Sequence, residues 1–134
     1  MTYGECTTGM QARGILPAAV LPVNTRWLDL IADSVKLEEY RLDTEYWQKR
    51  LLKKGEKEGT CGTYVLRAGY SRDSKALLID AVPIRRRGGK PAWGAQDEPY
   101  IVLRIKSAWV FDKDGSVRIL WAIKDNVLKI FGRY

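Results

Sequence analysis

The sequence predicts an α+β domain on a mostly antiparallel, barrel-like sheet of five or six short strands, with two helices early in the chain. Three observations carry this. Short apolar runs recur between Gly-, Pro- and Asp-rich turn signals, as strands do. Two segments in the first half space their apolar residues as helices do. A chain of 134 residues, 46% of them hydrophobic, suits one domain with a real core and argues against disorder.

Residues 1–14 carry Gly4, Gly9 and Gly14 with little periodicity and read as a loosely ordered arm; residues 15–134 read as the single domain. The run 15–23 is apolar but broken by Pro17 and Pro22, which suits an edge strand because proline cannot donate to a ladder. Asn24 then fits a helix N-cap, Trp27, Leu30 and Ile31 share a face, and Ser34 ends the helix. A strand follows over 35–42. Asp43 is the N-cap candidate of a second helix, with Glu45 in its first turn and Lys53 and Lys54 at its far end near 54. Trp47 and Leu51 share one face of it, Tyr46 and Arg50 another. Strands are expected over 62–68, 75–84, 100–105, 109–111 and 116–121, the last two flanking the hairpin signal Asp112-Lys113-Asp114-Gly115. The tail from 122 to 134 fits either strand or helix and reads as a C-terminal extension.

Composition excludes much. Histidine is absent, so His triads, His metal sites and HExxH chemistry are out. Cys6 and Cys61 are too few and too far apart for a disulfide framework or a cysteine zinc site, and neither has a His partner to activate it. No metal and no cofactor is expected. No apolar run approaches the roughly 20 residues of a membrane span, and no signal peptide is evident, so a cytoplasmic monomer is the default expectation. The net charge of +7 favours anionic partners, nucleic acid first.

The densest chemistry lies in Ser34-Val35-Lys36-Leu37-Glu38-Glu39-Tyr40-Arg41. Four charges at the start of a half-buried strand are costly unless paired or used. Strand alternation puts Glu39 and Arg41 on one face; the other register groups Lys36, Glu38 and Tyr40. Spacing does not choose between them. Either set is a paired structural network or a polar ligand site.

This stretch resembles the GxKxxExR signature of ASCH domains. Lys36, Glu39 and Arg41 match it, and Ser34 stands where the pattern has Gly. The order around it is also similar over roughly residues 17–105: a helix before, a Trp-containing helix after, then a strand ending in Arg67-Ala68-Gly69-Tyr70. The resemblance implies a PUA-like β-barrel with flanking helices and a cleft beside the motif. It implies RNA or nucleotide binding by Lys36, Glu39 and Arg41. It also implies an alternative, a small hydrolase acting on a modified nucleoside or on RNA, with Lys36 as base and Glu39 as proton shuttle. The amidohydrolase branch pairs its Lys with a Thr near the position that Glu39 occupies here, which disfavours amide hydrolysis in this chain.

Nucleic-acid recognition also needs stacking surfaces and phosphate contacts. Tyr40, Tyr46, Tyr70 and Trp93 are the stacking candidates. Trp93 leads because it sits in a Gly/Pro-rich loop beside the basic run Arg85-Arg86-Arg87-Gly88-Gly89-Lys90. That run reads as a flexible, phosphate-gripping loop, with Arg50, Arg67 and Arg72 as weaker additions. Trp27 and Trp47 read as core residues.

Overall fold

The computed structural model of the chain describes residues 19–52, 59–69 and 74–134. Over them the architecture is α+β: one seven-stranded sheet and two α-helices. The predicted N-terminal arm, Cys6, Lys53, Lys54, Tyr70 and Arg72 lie outside the described residues.

The strands are β1 (Ala19–Pro22), β2 (Glu38–Leu42), β3 (Gly62–Arg67), β4 (Ala76–Arg87), β5 (Pro99–Phe111), β6 (Val117–Lys124) and β7 (Val127–Ile130). Their order is β1-β3-β4-β5-β6-β7, with β2 branching off β5. Only the β1–β3 pair is parallel; the others are antiparallel. β1 and β7 lie at opposite ends of this order, so the sheet stays open and the expected barrel does not close.

The long β5 organises everything else. One side pairs with β4 almost throughout. The other side is shared: β2 pairs with residues 100–104 and β6 with 107–111. Between them sits a β-bulge, in which Asp80 opposes Ser107 but Ala81 opposes Ile105, leaving Lys106 as the extra residue. Bulges bend a strand and re-aim side chains. This one lies where β2 and β6 part company.

Helix α1 (Thr25–Ala32) forms as its sequence predicts, with the Asn24 side chain accepting from the Arg26 N–H at 2.8 Å. Leu28 and Ile31 are fully buried against the sheet. Its C-terminus is a Schellman turn: Val35 N–H donates to Leu30 O at 2.9 Å and Ser34 N–H to Ile31 O at 3.1 Å. Ser34 adopts φ +60°, the left-handed conformation that glycine takes without cost. The Trp121 indole, fully buried, also donates to Ile31 O at 2.6 Å. This turn delivers Lys36 to the sheet directly before β2.

Helix α2 (Glu45–Leu51) is capped by Thr44, not Asp43; the Thr44 hydroxyl accepts from Trp47 N–H at 3.4 Å. Both helices cover the face of the sheet that carries Leu77, Ile79, Leu103 and Ile105. A smaller cluster of Tyr40, Ala95, Tyr100 and Val102 lies on the other face, with Ile84 and Trp93 packed against it.

Three strand assignments differ from the sequence reading. The basic run is not a loop through Arg87: β4 extends to that residue. Segments 100–105 and 109–111 are one strand interrupted by the bulge. The ambiguous tail is a hairpin, β6–β7, turned by Asp125 and Asn126 at φ +54° and +62°, as a type I′ turn requires.

Candidate functional site

Strand alternation splits the motif between two faces, and both registers prove to be occupied. Glu39 and Arg41 oppose Leu103 and Ile101 on the helix-covered face. Lys36, one turn ahead of the strand, joins them. Its ammonium donates to Glu39 Oε1 at 2.7 Å and to the Glu38 carbonyl oxygen. Arg41 Nη1 lies 3.1 Å from Glu39 Oε2, and the guanidinium also donates to Tyr40 O at 2.8 Å and Pro22 O at 2.6 Å. Trp47 stacks under that guanidinium at 5.2 Å.

The three signature residues therefore meet, but as a buried, mutually satisfied chain. Lys36 is 0% exposed and Glu39 4%. The Lys36 ammonium is covered by the rings of Trp27 at 5.6 Å and Tyr40 at 5.2 Å. Trp27 is thus a cover over Lys36 rather than a core residue. Burial holds the Lys36 pKa below its ordinary value, against the pull of Glu39. Lys36 and Glu39 do not line the open groove described next; their immediate neighbour Glu38 does.

On the opposite face, Glu38 and Tyr40 form a second polar cluster. Arg86 grips Glu38 with both Nη atoms, at 3.0 Å to Oε2 and 2.7 Å to Oε1. The Tyr40 hydroxyl donates to Glu38 Oε1 at 2.8 Å and accepts from the Lys90 backbone N–H at 3.0 Å. Burial pushes the Glu38 carboxyl up, but hydrogen bonds from Arg86 and Tyr40, with the charges of Arg86 and Arg104, outweigh it; the net shift is downward. Burial and the Glu38 charge push the Tyr40 phenol up to about 12.

A groove of about 300 Å³ opens where β2 and β6 diverge from β5. Its walls are Leu37 and Glu38 from β2 and its approach, Arg104, Ile105 and Lys106 from the bulged stretch of β5, and Ile123 from β6. Lys90 and Trp93 close one side from the β4–β5 connection. The Lys90 ammonium sits 4.3 Å from the Trp93 ring centroid. Lys106 has its pKa lowered by burial and by the neighbouring Arg104 charge. The groove thus combines three cations, one half-buried indole and one carboxylate.

The 88–98 connection is held against the motif by two glycines. A Cβ on Gly89 would lie 2.5 Å from Tyr40 Cε1, and one on Gly94, itself at φ +94°, would meet Trp27 Cζ2 at 3.0 Å. Only glycine lets the backbone approach both rings this closely. The segment that carries Trp93 is therefore seated directly on the residues covering Lys36.

Other predicted site residues fall elsewhere. Arg85, Arg86 and Arg87 alternate along β4, and each already has an acid: Arg85 with Asp43 at 3.1 Å, Arg86 with Glu38 at 2.7 Å, Arg87 with Asp97 at 2.8 Å. They do not form the expected free phosphate-gripping loop, because strand geometry disperses them and long-range carboxylates neutralise them. Tyr46 and Arg50 stack on each other at 3.7 Å on α2, whose packing is against the sheet face opposite Tyr40, Tyr100 and Trp93. Arg67 lines a separate cavity of about 610 Å³ with Lys75, Phe111 and Tyr134. Cys61 is disulfide-bonded, which removes it as a nucleophile.

Arg104 and Lys106 are groove residues that the sequence reading did not single out, and Glu38 entered it only in the alternative register with Lys36 and Tyr40. Their signal was present: Arg104 and Lys106 are two charges set into an otherwise apolar strand run, as anomalous there as the motif charges are in β2. Among the described residues, no group of three or more His, Cys, Asp or Glu side chains gathers to hold a metal, and no helix is long and apolar enough to cross a membrane. No family model, no curated protein and no solved structure matches this chain.

Proposed function

We propose that this chain recognises single-stranded RNA or a nucleotide in the groove between β2 and β6, as an ASCH-type, PUA-like domain. The observation that carries the proposal is the groove itself: Trp93 flanked by Lys90, with Arg104 and Lys106 on the facing strand. A base stacks on any exposed indole, at about 1–3 kcal/mol, and cations beside it hold the phosphate without reading sequence. A volume of about 300 Å³ is at the small end of ligand sites and suits one nucleotide rather than a folded partner. In this reading the Lys36–Glu39–Arg41 chain acts beneath the surface. It fixes the start of β2, and so the positions of Glu38 and Tyr40, which hold the Trp93 segment in place.

The test is a fluorescence-anisotropy titration of labelled single-stranded RNA over a range of salt. Three phosphate-facing cations give a slope of log affinity against log salt of about −2. Trp93→Ala should weaken binding by about 1–3 kcal/mol. Salt-independent binding, or unchanged affinity in Trp93→Ala, would refute the proposal.

A second reading, hydrolysis with Lys36 as base and Glu39 as proton shuttle, is favoured by one observation. Burial lowers the Lys36 pKa, as a general base requires. It demands that the 88–98 segment lift off Trp27 and Tyr40 to admit substrate. Turnover of modified nucleosides or RNA that survives Lys36→Met would rule it out.

A further inference from the structure

Glu38 is the one carboxylate among the residues lining the groove. An ionised carboxylate only accepts hydrogen bonds, with about four lone-pair sites on its two oxygens. Three of these are filled. Oε1 accepts from Tyr40 Oη at 2.8 Å and Arg86 Nη2 at 2.7 Å, and Oε2 accepts from Arg86 Nη1 at 3.0 Å. One site remains, on Oε2. The carboxylate is not free to turn toward another partner, because two parallel bonds from a planar guanidinium fix its orientation. Arg86 is in turn fixed by its place in β4 opposite Tyr100. The side chain is still 18% exposed. Its link through Tyr40 to the Lys90 backbone ties it to the segment that presents Trp93.

A base stacked on Trp93 therefore meets a rigid acceptor with a single open lone pair. We infer that Glu38 makes the groove selective for nucleobases carrying an exocyclic amino group on the pairing edge, cytosine and adenine foremost, and against uracil. This inference rests on the single-strand reading above. An amino group fills the open site on Oε2. Uracil instead presents its O4 carbonyl where cytosine has its amine, so two acceptors face each other and both lose solvation without a bond. The downward shift of the Glu38 pKa keeps the group ionised, and so acceptor-only, at neutral pH. Arg104 and Lys106 line the same groove, where the phosphate that every nucleotide carries would pass.

The experiment compares labelled oligocytidylate, oligoadenylate and oligouridylate of equal length at one low salt concentration. Cytidylate and adenylate should bind at least about tenfold more tightly than uridylate, the factor that one hydrogen bond to a charged acceptor is worth. Glu38→Gln exchanges an acceptor for a group that also donates, and should bring the cytidylate-to-uridylate ratio to about twofold or less. Trp93→Ala should weaken all three by a common factor. Equal affinity of the wild-type protein for cytidylate and uridylate overturns the inference while leaving single-strand recognition standing. Failure to bind any of the three overturns both. If Glu38→Gln unfolds when its Arg86 pair is lost, the wild-type panel alone still decides.

Discussion

Replacing Lys36 with Met separates the two meanings of the buried signature. Methionine keeps most of the side-chain volume, so the cavity contribution is small. What is lost is electrostatic. Glu39, 4% exposed, loses its 2.7 Å partner, and the Glu38 carbonyl loses its donor. Breaking a buried pair costs about 3–5 kcal/mol when the remaining charge is stranded. Here Arg41 stays 3.1 Å from the other Glu39 oxygen, which places the cost at the lower end, about 3 kcal/mol. Urea unfolding followed by tryptophan fluorescence reads this directly, with an unchanged m-value showing that only stability moved. In a thermal scan the same loss is a fall of about 10 °C. Linkage adds a signature. The folded pKa of Lys36 lies below the ordinary 10.5, so the unfolded state binds the proton more readily and wild-type stability gains from Lys36 as pH rises through the window up to 10.5. Lys36→Met lacks that gain, so the gap between the two proteins widens toward alkaline pH. A variant within about 1 kcal/mol of wild type, with a flat difference across pH, would refute the structural role.

Three further outcomes follow from the same geometry. Asp80 is fully buried between Thr63 and Ser107, and burial pushes its pKa up to about 6, against hydrogen bonds from both. A raised carboxyl pKa means the folded state holds the proton longer, so stability should fall by about 3 kcal/mol as pH rises from the ordinary 3.8 through 6. Asp80→Asn should flatten that fall and melt higher than wild type at neutral pH, as calorimetry across pH would show. Ser34→Gly relieves a left-handed residue at the end of α1 and should raise stability by about 0.5–1 kcal/mol in urea unfolding. Gly89→Ala drives a methyl to within 2.5 Å of the Tyr40 ring, so it should cost about 1–3 kcal/mol and weaken RNA binding by displacing the Trp93 segment. Calorimetry and anisotropy on that variant check both effects.

Elements fixed by local chemistry were legible in the sequence. Helix α1 was readable because Asn24 caps it, though its buried face is Leu28, Ile31 and Ala32 rather than the expected Trp27, Leu30 and Ile31; α2 was readable to within a residue of its cap. Lys36, Glu39 and Arg41, which spacing alone left in two possible sets, meet in one chain of ion pairs. What stayed hidden depends on distant partners. The arginines of β4 read as a free basic loop because Asp43, Glu38 and Asp97, which neutralise them, lie up to 48 residues away. The bulge at Lys106 split β5 into two apparent strands, because one extra residue breaks the alternation that identifies a strand. Glu38 looked like a rival to Glu39. In the folded chain, the two neighbours serve opposite faces of one strand, one in the buried network and one in the groove. The hairpin at Asp125-Asn126 carried a usable signal, a polar pair between apolar runs, that the amphipathic tail obscured.

The central claim is that single-stranded RNA enters at Trp93. Indole N–H resonances in a ¹⁵N spectrum test it most directly, since the chain has five tryptophans in distinct settings. With Trp93 assigned through Trp93→Phe, titrating a short cytidine-rich RNA should shift the Trp93 signal first and furthest. The Trp121 signal, buried and bonded to Ile31 O, should hold still. Movement of other indoles with Trp93 unmoved, or no movement at saturating RNA, would contradict the account.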